Sequence, residues 1–238
     1  MKLGVMQPYF FPYLGYFDLI HQTDKWIVCD TVQYIRHGWI NRNRILHPEQ
    51  GWQYVVVPVK SHPLSAPIGE IEIADNEPWQ RLILEQLQHY KKRAPHFEET
   101  MSLVERGVYS ENASIVRLTV NCLRLVCQYL GIEFGCELFS EMNLDIGPVD
   151  GPADWALRIS EALGADEYVN PPGGVALYDP EDFRSAGITL TIRHLPPLEY
   201  ECDGYEFVPN LSIIDLLMWN SPEQIKAHLD LHGSQQGK

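Results

Sequence analysis

The first 29 residues constrain this chain more than any other stretch. Residues 2–7, with the apolar run Leu3-Gly4-Val5-Met6, read as a buried strand. Residues 15–23, containing Phe17-Asp18-Leu19-Ile20-His21, read as a helix, and Lys25-Trp26-Ile27-Val28-Cys29 as a second strand. Strand, helix and strand in so short a span predict a parallel βαβ unit. Ligands bind such sheets beyond the carboxyl ends of the strands. Gln7–Tyr9 and Asp30–Tyr34 fall at that edge. The connecting loop is stiffened by Pro8 and Pro12 and rich in aromatic rings. It runs directly into a helix whose first free N–H groups favour an anionic group such as phosphate.

Composition narrows the function classes. The chain has 238 residues, 45% of them hydrophobic, enough for one large or two modest domains with an ordinary core. A formal net charge of -14 argues against nonspecific nucleic-acid binding and against docking on anionic membranes. No stretch approaches the 18 apolar residues of a membrane helix, and the apolar start is too short for a signal peptide. The five cysteines form no CxxC pair. Cys29, Cys122 and Cys127 lie in apolar segments and read as buried free thiols, which suits a reducing cytoplasm. The nine histidines form no metal signature, and no GxSxG elbow occurs.

The rest of the chain alternates in type. Residues 42–46 and 52–58 flank a turn with Pro48 and Gly51 and predict a hairpin. Ile68–Ile73 alternates as a half-exposed strand does. Trp79, Leu82, Ile83, Leu87 and Tyr90 share one helical face, residues 97–107 form a weaker helix, and 115–130 is helical and apolar on two sides, stopped by Gly131. The α/β pattern then returns, with a helix after Pro152, a strand at 167–169, a helix at 180–185 and a strand at 188–192. Helices at 212–219 and 222–231 follow, and 233–238 reads as a frayed tail. The expected division is an α/β core over 1–75 and 132–220, a helical insertion over 76–131, and a C-terminal helix and tail over 221–238.

Four loops carry candidate chemistry. In the first, Gln7 offers donors and an acceptor, Tyr9, Tyr13 and Tyr16 offer rings and hydroxyls, and Gly15 permits close approach. The second joins Asp30, Gln33 and Tyr34 to Asn41 and Arg42. Strand alternation sends Asn41 and Asn43 to one face and Arg42 and Arg44 to the other. The third, Asn170-Pro171-Pro172-Gly173-Gly174 with Tyr178, offers a diglycine that can form an anion nest or serve as an ordinary turn. In the fourth, Asn210 or Ser212 caps the following helix, and capping outweighs ligand contact.

Several of these residues stand in runs that resemble the WbqC-like family. They are Met6-Gln7-Pro8-Tyr9-Phe10-Phe11-Pro12-Tyr13-Leu14-Gly15-Tyr16-Phe17, Asp30-Thr31-Val32-Gln33-Tyr34, Trp39-Ile40-Asn41-Arg42-Asn43, Pro58-Val59-Lys60 and Phe207-Val208-Pro209-Asn210-Leu211-Ser212-Ile213-Ile214-Asp215-Leu216-Leu217. They span nearly the whole chain in order. The resemblance implies a place in bacterial surface-polysaccharide synthesis, O-antigen or capsule, more firmly than it implies a reaction. More distantly, the opening is similar to nucleotidylyltransferase-like (HUP) domains such as those of cytidylyltransferases and pantothenate synthetase. Their His-x-Gly-His signature would match Tyr13-Leu14-Gly15-Tyr16. Both histidines are tyrosines here, and tyrosine supplies no positive charge near neutral pH.

The resulting expectation is an α/β fold with a parallel-core sheet of nucleotidylyltransferase-like type, a β-hairpin extension and a helical insertion. Function is expected to be acyl or aminoacyl transfer to an amino sugar or nucleotide sugar, with Asp30 and Gln7 as catalytic candidates. ATP or acyl-CoA are candidate donors, no metal is indicated, and an oligomer is compatible. A catalytically degenerate binding or scaffold protein and a true nucleotidyltransferase are the alternatives.

Overall fold

A computed structural model describes residues 1–110 and 113–233. Five parallel strands, β1 (Lys2–Met6), β2 (Lys25–Val28), β5 (Cys136–Leu138), β6 (Glu167–Asn170) and β7 (Thr189–Ile192), form one sheet in the order β5-β2-β1-β6-β7. The register is set at its centre, where Val5 of β1 faces Ile27 of β2 and Leu3 faces both Lys25 and Tyr168 of β6. From β1 the chain steps one way to β2 and β5, then returns across β1 to β6 and β7. The reversal lies between β1 and β6, the position at which doubly wound sheets open a crevice at their carboxyl edge.

Strand alternation divides the sheet between two sets of helices. Leu3, Val5, Ile27, Cys29 and Tyr168 face α5 (Asp154–Ala162) and α6 (Pro180–Ser185), packing on Ala156, Ile159 and Phe183. Trp26, Val28 and Val169 face the opposite way, onto a larger core that includes α1 (Leu14–Gln22). Gly4 is needed on that side, because a Cβ there would lie 2.5 Å from the Trp26 ring. The ring in turn packs edge-on against Tyr16, with centroids 5.2 Å apart.

The hairpin expected at 42–58 is β3 (Arg42–Leu46) paired with β4 (Trp52–Val56). The helical segment carries α2 (Trp79–Gln86), α3 (Phe97–Val108) and α4 (Ile115–Leu130), with the φ of Gly131 at 65° ending α4. Their apolar faces share the larger core with the hairpin, α7 (Ile213–Trp219) and α8 (Pro222–Gly233). Cys29, Cys122 and Cys127 are buried and free.

Two local expectations change. Residues 68–73 do not form a strand. Ile68–Glu70 is a 3-10 turn followed by isolated bridges, which buries Ile68, Ile71 and Ile73 together. The turn changes the spacing from two residues to three, so strict alternation fails. Leu82 is 41% exposed, because α2 buries Trp79 and Ile83 and then tightens into a 3-10 turn that buries Leu87 and Tyr90. Strand β5, only three residues long, has too short a pattern to read from sequence. Of the expected tail at 233–238, residues 234–238 lie outside the described residues.

Candidate functional site

A cleft of about 1070 Å3 opens at the carboxyl edge of the sheet, where the strand order reverses. Its lining includes the carboxyl ends of the strands and the sequence that leaves them: Met6-Gln7 at the end of β1, Thr31 beyond β2, Asn170-Pro171 at the end of β6 and Arg193-His194 after β7. The opening loop supplies Tyr9 and Tyr13, and α1 supplies Gly15. The third loop supplies Gly173, Gly174 and Tyr178, and Gln33 and Asn210 complete the set that the sequence singles out.

The opening loop is held from three directions. The Tyr16 hydroxyl donates to the Gln7 carbonyl from beneath, at 2.7 Å. Asn43 Nδ2 donates to the carbonyls of Phe10 (3.1 Å) and Phe11 (2.9 Å), and the Ser212 hydroxyl donates to Phe11 at 2.7 Å. These contacts hold Phe11 at φ 38°, a conformation that a bulky residue rarely adopts. Three separated runs of the chain thus meet on one loop. Gly15 has a steric reason, since a Cβ there would lie 2.5 Å from the Tyr13 ring. Burial raises the pKa of Tyr9 and Tyr13 alike, so both enter the site as neutral phenols.

Five candidates lie away from the cleft. Asp30 is 2% exposed, and its carboxylate accepts from the Ser140 N–H (3.0 Å) and hydroxyl (2.6 Å), tying β2 to the turn after β5. Asp30 does not itself line the cleft and its carboxylate is already engaged by Ser140, so the geometry does not support it as a base on a ligand there. Tyr16 is fully buried under the loop it supports, and burial raises its pKa well above 10. Tyr34 and Asn41 bond each other at 2.8 Å, and Asn41 Nδ2 donates to Val57. Arg42 directs its donors to the carbonyls of His37 and Gly38 and stacks on Tyr54. The parity argument for the hairpin holds, with Asn41 and Asn43 inward and the arginines on the other face. It is Arg44 that reaches the cleft.

The third and fourth loops are more structural than their composition suggests. Asn170 lines the cleft, yet its Oδ1 accepts from Tyr168 and its Nδ2 donates to Pro171. Gly174 makes room for that amide, and its own N–H donates to the Pro171 carbonyl. Tyr178 is tied to Tyr168 through their hydroxyls at 3.2 Å. Ser212, not Asn210, caps α7, its oxygen accepting from the Ile214 N–H. Asn210 sits at the cleft with φ 56°, its carbonyl accepting from Arg44 Nη2 at 3.3 Å.

The sequence reading missed Arg193, His194, Asp150 and Trp155, all of which line the cleft. Arg193 and His194 follow a strand exactly as Gln7 does, a signal available once β7 is placed. Arg193 is buried and forms a two-pronged ion pair with Asp18 of α1, so its charge is matched. Arg44 enters no ion pair among the described residues. Asp150, also in the lining, is exposed, and its loop is fixed by Asp154 Oδ2, which accepts from the N–H groups of Asp150 and Gly151 at 2.8 Å. The cleft lining therefore holds one cation without an ion pair among the described residues, Arg44, together with the carboxylate of Asp150 and the rings of Tyr9, Tyr13 and Trp155. Among the described residues, no group of three or more His, Cys, Asp or Glu side chains is arranged to hold a metal ion.

Comparison with known proteins adds a family. The model of the WbqC-like protein family matches residues 7–227. The chain belongs to the WbqC-like family. Its relatives include "Uncharacterized protein Rv1507c" of Mycobacterium tuberculosis (strain ATCC 25618 / H37Rv), 28% identical over 225 residues that cover 91% of this chain and 92% of that protein. No solved structure matches this WbqC-like chain. Among the described residues no helix is long and apolar enough to cross a membrane.

Proposed function

We propose that this WbqC-like protein is a transferase that binds a nucleotide-activated amino sugar and makes an amide on it, in the synthesis of bacterial surface polysaccharide. The observation that carries the reading is the cleft itself. It lies at the switch point of a doubly wound sheet, and its lining includes both Arg44, unmatched by any ion pair among the described residues, and the exposed Asp150. Arg44 suits the anionic part of the donor, and Tyr9, Tyr13 and Trp155 suit a base or sugar ring. In this reading Asp150 accepts the proton that the sugar amine loses as its nitrogen bonds to the acyl carbon, while the donor's leaving group departs with its electron pair. ATP with an acid, or acyl-CoA, is the matching donor chemistry.

Neutral Tyr13, with buried Tyr16 beside it, favours a second reading, binding without turnover, over nucleotidyl transfer, which needs positive charge at the α-phosphate. One experiment separates them. Purified protein is incubated with UDP-glucosamine, whose 2-amine is free, plus either donor, with UDP-N-acetylglucosamine as the already acylated binding control, and products are followed by mass spectrometry. Thermal shift is recorded in parallel. A bound ligand at a hundredfold excess over its dissociation constant stabilises by about 2.7 kcal/mol. The transferase reading expects an acyl-mass product that disappears in Asp150→Asn with the thermal shift kept. A shift without product in the native protein supports binding alone. No shift with any nucleotide, nucleotide sugar or acyl-CoA overturns both.

A further inference from the structure

The outer face of the β3–β4 hairpin carries a second arrangement that the cleft does not use. Cross-strand pairing places Arg44 opposite Tyr54 and Leu46 opposite Trp52, and Trp39 packs beside them from the preceding loop. The Trp52 and Tyr54 rings meet edge-on at 5.0 Å, and Tyr54 and Trp39 lie 6.4 Å apart. Arg42 sits 4.0 Å over Tyr54, and Arg44 lies 5.3 Å from Trp39 and 5.1 Å from Trp52. Trp39 and Trp52 remain 38% and 42% exposed. An amphipathic hairpin does not need such residues outward. Polar side chains would cover this face at lower cost in exposed aromatic surface.

Two features say what the face is suited to hold. In a chain of net charge -14, neither Arg42 nor Arg44 is in an ion pair among the described residues. Arg42 gives Nε and Nη2 to the Gly38 and His37 carbonyls and Arg44 gives Nη2 to Asn210, which leaves Nη1 of each stacked guanidinium as the donor for an anion. The face is also continuous with the cleft, because Trp39 and Arg44 belong to both, and the Trp39 carbonyl accepts from the Phe10 N–H of the opening loop at 3.1 Å. We propose that this face binds an acidic saccharide, its sugar rings on Trp39 and Trp52 and its carboxylate or phosphate groups on Arg42 and Arg44. The proposal takes from the reading above that the cleft holds the activated sugar, and adds a subsite for the glycan beyond it. A single-stranded nucleic acid also stacks on aromatic rings, but it needs a basic groove along its backbone, and the chain is strongly acidic.

Tryptophan fluorescence titration with tetragalacturonate, maltotetraose and the oligonucleotide dT8 tests this. Tetragalacturonate is expected to bind and maltotetraose to bind more weakly. Trp52→Ala and Arg42→Gln are each expected to weaken tetragalacturonate by about tenfold, as truncation of a tryptophan or arginine anchor does. Neither residue lines the cleft, so the thermal shift with UDP-N-acetylglucosamine is expected to persist in both variants and to report that they fold. Absence of tetragalacturonate binding, equal binding by both variants, or tighter binding of dT8 overturns the proposal. Saccharide binding that depends on Trp52, in a protein that UDP-N-acetylglucosamine does not stabilise, supports the hairpin site and counts against the cleft reading alone.

Discussion

Asp215, in the first turn of α7, is fully buried and shows what a single residue can cost. Burial pushes its carboxyl up from 3.8 to about 6, while the hydroxyls of Tyr90 and Tyr200 and the Leu46 N–H hold it back. Because the folded value lies above the unfolded one, its stabilising contribution is complete below the unfolded value and is lost as pH rises through 6. At roughly 1.4 kcal/mol per pH unit the loss is about 3 kcal/mol. Denaturant melts between pH 4 and pH 7.5 are expected to show this decline, and Asp215→Asn to flatten it. An unchanged slope in the variant would remove Asp215 as the cause. Gly15 acts through sterics instead. Alanine there suits a helix better by up to about 1 kcal/mol, but its Cβ displaces the Tyr13 ring. Gly15→Ala is therefore expected to melt near the native temperature while losing about tenfold in affinity for the cleft ligand, roughly 1.4 kcal/mol, in calorimetric titration.

At the scale of elements, the opening loop depends on side chains from the hairpin and from the start of α7. Asn43 satisfies two buried carbonyls and accepts from the Arg44 N–H. Its replacement by alanine strands those groups, at about 1–3 kcal/mol each. Ser212→Ala removes both the donor to Phe11 and the cap of α7 and is expected to cost about 2 kcal/mol. Since the two share the Phe11 carbonyl, their effects should not add. A double-mutant cycle in urea is expected to give a coupling above about 0.5 kcal/mol, and strict additivity would argue that the loop is held elsewhere. Elements with long patterns were legible in sequence: α4 with its two apolar sides and Gly131 stop, and β3–β4 around its turn. Strand β5 and the 3-10 turn at 68–70 were not, because three residues carry too little periodicity to distinguish.

Across the whole molecule, the buried Asp18–Arg193 pair joins α1 to the end of β7, and Arg193 also donates to the His232 carbonyl near the end of α8. Elements far apart in sequence are thereby fixed beneath the cleft. Asp18→Asn leaves the Arg193 charge buried without its carboxylate and is expected to cost about 3–5 kcal/mol, measured by chemical denaturation. The double variant Asp18→Leu with Arg193→Met is expected to recover most of that stability. If it recovers none, packing rather than the charge holds this junction.

Read alone, the sequence determined the class of fold, the βαβ start and the edge of the sheet at which a site would lie. Each follows from local periodicity and from the chirality and reach of short connections. The same reasoning brought Gln7, Tyr9 and Tyr13 to the rim, whereas Asn210, read first as a helix cap, lines the cleft while Ser212 does the capping. Only the tertiary structure decided that Asp30 turns to Ser140, that Arg44 rather than Arg42 reaches the cleft, and that Asp150 joins its lining. Those outcomes depend on partners distant in the chain, 110 residues away for Asp30 and 166 for Arg44 with Asn210. A polar side chain faces a ligand or a neighbour according to which buried donor or acceptor lies within hydrogen-bond reach, and that is a property of packing.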